Sequence, residues 1–216
     1  MTLNSLQLTN MYGDTFLDDF RKVPEYGPES FVVKYSTIIM SISQISETVF
    51  ILTIPFFLKK FGIKKVMLFS MIAWVLRFGL FAYGNPADGL WMIILSCIVY
   101  GMAFDFFNIS GSLFVETTTD SSIRSSAQGL FMMMTNGVGA TIGTLAAQGV
   151  VNKCVPVVSK EKWDFLASLE NGVEAVYNQA MEVWQGWQTA WYIFAAYALV
   201  VAILFWIFFP KTPVKN

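Results

Sequence analysis

Residues 90–115 read LWMIILSCIVYGMAFDFFNISGSLFV, an apolar run in which Asp105 is the single charged residue. A helix of about 20 apolar residues is long enough to cross the hydrocarbon core of a bilayer. Comparable runs occur elsewhere in the chain, and the predicted membrane-spanning helices cover residues 32–58, 66–83, 90–115, 127–151 and 188–209. The sequence therefore predicts an all-α membrane protein.

The composition of the whole chain supports this class. Of its 216 residues, 55% are hydrophobic and 13% are charged, and the mean hydropathy is +0.55. A soluble domain has about 25% charged residues. The chain has no histidine, and its net charge is -1. These features argue against histidine-based catalysis, a metal site and a nucleic-acid partner, so that no enzyme activity and no cofactor are predicted.

The loops predict how the chain is organised across the membrane. Residues 1–16 resemble the second half of a truncated spanning helix, residues 17–31 an outer loop, and residues 32–151 four spanning helices. Residues 152–187 follow as an outer amphipathic segment, residues 188–209 as the last spanning helix and residues 210–216 as a tail. The basic stretch KKFGIKK at residues 59–65 is expected on the cytoplasmic side, which also makes the C-terminus cytoplasmic.

Small residues are frequent in the predicted span 127–151. Its glycines include the Gly139 and Gly143 pair, which is separated by four positions, and the others are Gly129, Gly137 and Gly149. Such residues let helix backbones approach each other closely, so a close-packing role is expected for them. Asn136 in the same span is either a hydrogen-bonding group between helices or part of a cavity lining.

Three ionisable residues lie within the predicted spans, namely Glu47, Arg77 and Asp105. A charge near the centre of a spanning helix costs about 2.5 to 3.5 kcal/mol on insertion scales, so such residues usually face a bundle interior or a cavity. Arg77 lies near the outer end of its span and is expected to extend to the lipid headgroups. Alternatively, it is the counter-ion of Asp105 or Glu47.

Polar residues share helix faces with the two carboxylates. Gln44 precedes Glu47 by three positions, which places both side chains on one side of a helix. Tyr100, Phe104 and Asp105 form a second group, which combines rings and an acid, as a ligand with a flat ring and hydroxyl groups would require. Packing remains the alternative role for the rings, and permanent ion pairing remains the alternative for Glu47.

Several segments carry a resemblance to a known family, among them QLTNMYGDTF, SQISETVFILTIPFFLKKFGIKKVM, IVYGMAFDFFNISGSLFVE and IRSSAQGLFMMMTNGVGA. They resemble the nucleoside:proton symporters of the major facilitator superfamily. The resemblance covers nearly the whole chain and is weakest over residues 152–187. It implies the C-terminal six-helix half of such a permease, with the first helix truncated and the substrate bound at mid-bilayer between two halves.

The resemblance also implies roles for individual residues. The positions that would bind the nucleoside are Gln7, Asn10, Gln44, Glu47, Tyr100, Phe104 and Asp105. Glu47 or Asp105 would carry the proton, which is the coupling ion. The stretch KKFGIKK lacks the acidic residue of the superfamily's cytoplasmic loop motif, so a gating role for it does not carry over.

The resulting expectation is a bacterial inner-membrane nucleoside permease whose N-terminal half is a required partner. Without that half, the chain would form one wall of a cavity and would transport nothing. The alternative is a membrane subunit or gene remnant that neither transports nor binds nucleosides.

Overall fold

The computed structural model describes residues 12, 13, 15–17, 19, 35–85 and 88–209, and these residues are helices joined by short turns. The helices are α1 (Ser36–Tyr83), α2 (Leu90–Thr118), α3 (Arg124–Met132), a π-helix (Met133–Gly139), α4 (Ala140–Cys154), α5 (Lys160–Ala167) and α6 (Gly172–Phe208). Residues 12, 13, 15–17 and 19 are helical as well. The predicted all-α class is thereby confirmed.

The helix α1 turns back on itself at Gly62. This glycine has a φ of 76° and is the one residue within α1 whose backbone is not helical. The rings of Phe57 and Phe69 lie 6.5 Å apart, although a straight helix would separate residues twelve positions apart by about 18 Å. The chain thus forms a first arm (residues 36–61) and a second arm (residues 63–83), at the positions of the predicted spans 32–58 and 66–83.

Both arms of α1 pack against α2. On the first arm, the Ser46 hydroxyl donates a hydrogen bond to the carbonyl oxygen of Ile98. On the second arm, the Ser70 hydroxyl donates to the carbonyl oxygen of Ala103 at 2.5 Å. These bonds satisfy the serine hydroxyls between apolar helices, and they fix how far along α2 each arm sits.

The next predicted span is an interrupted helix over residues 124–154, with the π-helix at its centre. Its buried small residues, Ala140, Gly143 and Ala147, follow helical spacing. Three other glycines of this span make no close contact within the described chain, so a close-packing role stays a prediction for them. A Cβ atom would meet nothing within 4 Å at Gly129 and Gly149, and at Gly137 only a side-chain atom of Met133 at 3.9 Å.

The last helix, α6, begins at Gly172 and not near residue 188, so the outer segment and the last predicted span form one helix from residue 172 to 208. Only Lys160–Ala167 of the outer segment forms a separate helix, α5. The start of the last membrane span near residue 188 stays a prediction, because the helix continues on both sides of that residue. Gly186 lies against the end of α4, where a Cβ atom would come within 2.3 Å of the Cys154 carbonyl oxygen.

Aromatic rings join α6 to the rest of the bundle. Trp191 stacks on Phe81 with ring centroids 5.0 Å apart, and the ring of Phe16 meets Trp191 edge-on at 5.9 Å. The Trp187 indole donates a hydrogen bond to the Asp19 carboxylate at 2.8 Å. The main hydrophobic core therefore includes residues from both ends of the described chain.

Four helical segments of the described chain are long and apolar enough to cross a membrane, over residues 41–83, 90–118, 124–154 and 172–208. The first contains both arms of α1. Together they make the chain an integral membrane protein.

The turn at Gly62 can be tested with two alanine substitutions. Gly62→Ala should destabilise the protein by about 1 to 2 kcal/mol, because a side chain at a positive φ is strained. Gly79→Ala is the matched control, since Gly79 lies within the second arm and a Cβ atom there meets nothing within 4 Å. The control should be neutral or stabilising by up to about 1 kcal/mol. Thermal unfolding in detergent measures both, and equal melting temperatures for the two variants would contradict the strained turn.

Candidate functional site

The residues predicted to bind the substrate are divided between two helices. Gln44 and Glu47 lie on the first arm of α1, and Tyr100, Phe104 and Asp105 lie on α2. Gln7 and Asn10 lie outside the described residues. The arrangement of the five described positions determines what this part of the protein can bind.

The two helices meet at Gly101. A Cβ atom built on Gly101 would lie 2.5 Å from the carbonyl carbon of Ser46 and 2.6 Å from the backbone nitrogen of Glu47. Contacts this short leave no room for any side chain, so the backbones touch at this point. The crossing places Glu47 next to the turn of α2 that carries Tyr100, Phe104 and Asp105. The five residues Gln44, Glu47, Tyr100, Phe104 and Asp105 form what we call the midspan patch.

Burial differs strongly among the members of the midspan patch. Tyr100 is 4% exposed and Asp105 is 5% exposed, whereas Phe104 and Glu47 are half-buried and Gln44 is exposed. One carboxylate oxygen of Asp105, Oδ2, is fully buried and has no hydrogen-bond partner. A buried polar atom without a partner is unusual and costly, which distinguishes Asp105 from the more accessible Glu47.

The two rings of the patch lie parallel. The centroids of Tyr100 and Phe104 are 6.2 Å apart and their planes differ by 2°. Trp74 of the second arm meets Tyr100 edge-on at 6.0 Å. Because Tyr100 is buried and Phe104 is half-buried, Phe104 is the ring of the pair that remains more accessible for contact with a ligand.

The expected position of Arg77 needs correction. Arg77 is fully buried, so the expectation that it extends to the headgroups is wrong. It also forms no ion pair with Glu47 or Asp105; its Nη1 donates to the carbonyl oxygen of Ser96 at 2.9 Å. Asn136 lies in the π-helix, and its amide bonds to Met132 of the same turn. Its side chain is exposed, and its part in a cavity lining stays a prediction.

Sequence reasoning gave no special role to Gly101, which sets the distance between the helices of the patch. The signal in the sequence is a glycine in the centre of an apolar span, next to Tyr100. Such a glycine indicates that another helix packs closely at this position, but it does not indicate which helix.

An apolar helical bundle with a patch of acids, an amide and rings at mid-length is characteristic of membrane proteins that handle a polar solute inside the bilayer. The family described as Nucleoside H+ symporter matches residues 1–213. The chain therefore belongs to the nucleoside H+ symporter family, and the resemblance found in its motifs is confirmed.

Individual relatives agree with this assignment. The chain is 52% identical to the xanthosine permease of Escherichia coli K12 over 205 residues, which are 94% of this chain and 43% of the permease. It is 50% identical to the nucleoside permease NupG of the same organism over 211 residues, or 97% of this chain and 44% of NupG. A crystal structure of a NupG mutant superimposes with a TM-score of 0.81 at 48% identity, covering 97% of this chain and 46% of that one. The chain thus spans less than half the length of these relatives.

The close contact at Gly101 predicts that adding a single methyl group there lowers the stability of the protein. Gly101→Ala should destabilise the protein by about 1 to 3 kcal/mol, because the added Cβ atom meets backbone that cannot move without separating the helices. Gly137→Ala is the matched control, since its Cβ atom would meet only a flexible Met133 side chain at 3.9 Å. Thermal unfolding in detergent should show a lower melting temperature for the first variant alone. A Gly101→Ala variant as stable as the control would show that the helices do not touch there.

Proposed function

We propose that this chain forms one wall of the substrate cavity in a proton-coupled nucleoside permease. The observation that carries the proposal is the midspan patch, in which the stacked Tyr100 and Phe104 rings and the unpaired Asp105 oxygen lie beside Glu47. Membership of the nucleoside H+ symporter family supports both the substrate class and the coupling ion.

The chemistry of the patch suits the two parts of a nucleoside. A nucleobase is flat and packs against an aromatic ring, and the half-buried Phe104 is the more accessible ring of the parallel pair. Ribose carries hydroxyl groups, which hydrogen-bond to carboxylates and amides such as those of Glu47 and Gln44. The proposed substrate-binding residues are these together with Asp105, and Gln7 and Asn10 are proposed to belong to the same cavity.

The two proton-carrier candidates differ in burial. Asp105 is 5% exposed and one of its oxygens lacks a partner, whereas Glu47 is half-buried. Moving a charged carboxylate into such surroundings is costly, and a bound proton removes the charge. Asp105 is therefore proposed to carry the proton, and Glu47 to bind the ribose.

Transport by this mechanism needs a second wall. When the proton and the nucleoside are both bound, the two halves of the permease rock about the cavity and expose it to the other side of the membrane. The chain matches 43% to 44% of its permease relatives, which supports an N-terminal half as the required partner. The membrane is proposed to be the bacterial inner membrane, with the C-terminus in the cytoplasm.

Uptake of radiolabelled uridine, adenosine and xanthosine into cells that lack nucleoside transport tests the function. Three proteins are compared: this chain alone, the chain with any in-frame upstream sequence, and a chimera that carries these 216 residues in place of the matching segment of the E. coli nucleoside permease. The chain alone should give no uptake, and the chimera should give uptake that collapses when the proton gradient is removed. Uptake by the chain alone would disprove the need for a second half. Absence of uptake by a chimera that reaches the membrane would disprove the proposed function.

Two isosteric substitutions in the transporting form separate proton coupling from substrate binding. Asp105→Asn should abolish accumulation against a gradient while exchange of nucleoside across the membrane survives, since the amide cannot release a proton. Glu47→Gln should raise the KM by about tenfold to a hundredfold, as expected when a charged hydrogen bond of roughly 1.5 to 3 kcal/mol is lost, and should leave the pH dependence unchanged. Measurements of uptake and counterflow across pH 5 to 8 decide between them. The reverse pattern would assign the proton to Glu47.

The role of the accessible ring can be tested with a matched pair on α2. Phe104→Ala should raise the KM for uridine by about tenfold or more, because stacking of a base on an aromatic ring is worth about 1 to 3 kcal/mol. Ile109→Ala removes a side chain of the same helix that is 38% exposed and lies outside the patch, and it should change the KM less than about twofold. Equal KM values for the two variants would return Phe104 to a packing role.

A further inference from the structure

The second arm of α1 buries a whole arginine beside the midspan patch. Arg77 has no exposed surface, and its Nε and Nη2 atoms have no hydrogen-bond partner. Among the described residues, no carboxylate forms an ion pair with it. A buried guanidinium that is not neutralised in this way needs another source of stabilisation.

Two aromatic rings and one carbonyl group surround the guanidinium. Its central carbon lies 4.4 Å from the ring centroid of Tyr100 and 5.2 Å from that of Phe81, which are cation–π distances. The Ser96 carbonyl accepts from Nη1, and the Ser96 hydroxyl donates to the Arg77 carbonyl at 3.3 Å. Arg77 therefore contacts α2 at Ser96 and, one turn later, at Tyr100.

The closer of the two rings belongs to the midspan patch. Tyr100 lies parallel to Phe104, while Phe81 belongs to the core around Trp191. A planar cation attracts the face of a ring, and it thereby favours one orientation of that ring over others. Tyr100 and Phe104 are neighbouring parallel rings with centroids 6.2 Å apart, so a rotation of the Tyr100 ring would disturb the parallel packing of Phe104.

We infer that Arg77 is a positioning residue for nucleoside binding, which acts by holding Tyr100 in the orientation that aligns Phe104 with the base. This inference rests on the proposed function of the midspan patch. Arg77 itself does not contact the nucleoside. Its contribution passes through Tyr100 and disappears when that ring is absent.

A double-mutant cycle in the transporting chimera tests the coupling. Arg77→Met should raise the KM for uridine by about tenfold with little change in the maximal rate, because it removes the cation and keeps a side chain of similar length. In a Tyr100→Ala background, the same substitution should change the KM less than about twofold. Arg77→Lys keeps the charge without the planar group and should give an intermediate KM.

Phe81→Leu is the matched control, because it removes the other ring beside the guanidinium and leaves the midspan patch intact. It should lower the melting temperature in detergent and leave the KM within about twofold of the parent protein. If Arg77→Met does not reach the membrane, Arg77→Lys carries the same cycle with Tyr100→Ala.

The possible outcomes separate the two proposals. An unchanged KM in the Arg77 variants, or an increase that persists without Tyr100, would overturn the positioning role while uptake by the parent chimera upholds the proposed function. Absence of saturable uptake by the parent chimera would overturn the proposed function and the positioning role with it.

Discussion

The contact between the backbones of α1 and α2 at Gly101 is the constraint on which the candidate site depends. A Cβ atom at this position would come within 2.6 Å of the Glu47 backbone nitrogen, so the two helices cannot be closer and any side chain would separate them. In a bilayer, close backbone approach replaces the hydrophobic driving force that joins helices in water. The same contact brings a carboxylate of one helix beside the rings and the carboxylate of the other. The glycine at position 101 thus determines both the distance between the two helices and the neighbours of Glu47.

The second arm of α1 also packs against α2, where it forms hydrogen bonds to the α2 backbone. Ser70 and Arg77 each hydrogen-bond to a backbone carbonyl group of α2, at Ala103 and Ser96, on either side of Gly101 along the chain. These polar groups are satisfied by neighbouring helix backbone, which is an available acceptor where water is excluded. The turn at Gly62 makes the arrangement possible, because it brings the second arm back along the helix that the first arm contacts.

Much of this architecture could be predicted from the sequence, since long apolar runs and the membrane thickness nearly determine where helices cross. The polar faces with Glu47 and Asp105 were also evident, because helical periodicity alone assigns residues to a face. The position of Arg77 could not be predicted, since the distance of a residue from the end of its span does not tell whether aromatic rings surround it. The start of α6 at Gly172 was missed for a related reason: an amphipathic segment and an apolar one can form a single continuous helix.

The two carboxylates of the patch lie in different environments, which is the basis for proposing different roles for them. Asp105 and Glu47 carry the same functional group on adjacent helices, yet one is 5% exposed with an unpaired oxygen and the other is half-buried. A symporter needs one group that changes its protonation during the transport cycle. It needs another group that binds the solute in both protonation states of the first. Burial favours Asp105 for the first task, because there the charge is costly and the proton compensates for it. The more accessible Glu47 can keep its charge and offer it to hydroxyl groups. The difference in depth between the two residues therefore supports the proposal that Asp105 carries the proton and Glu47 binds the ribose.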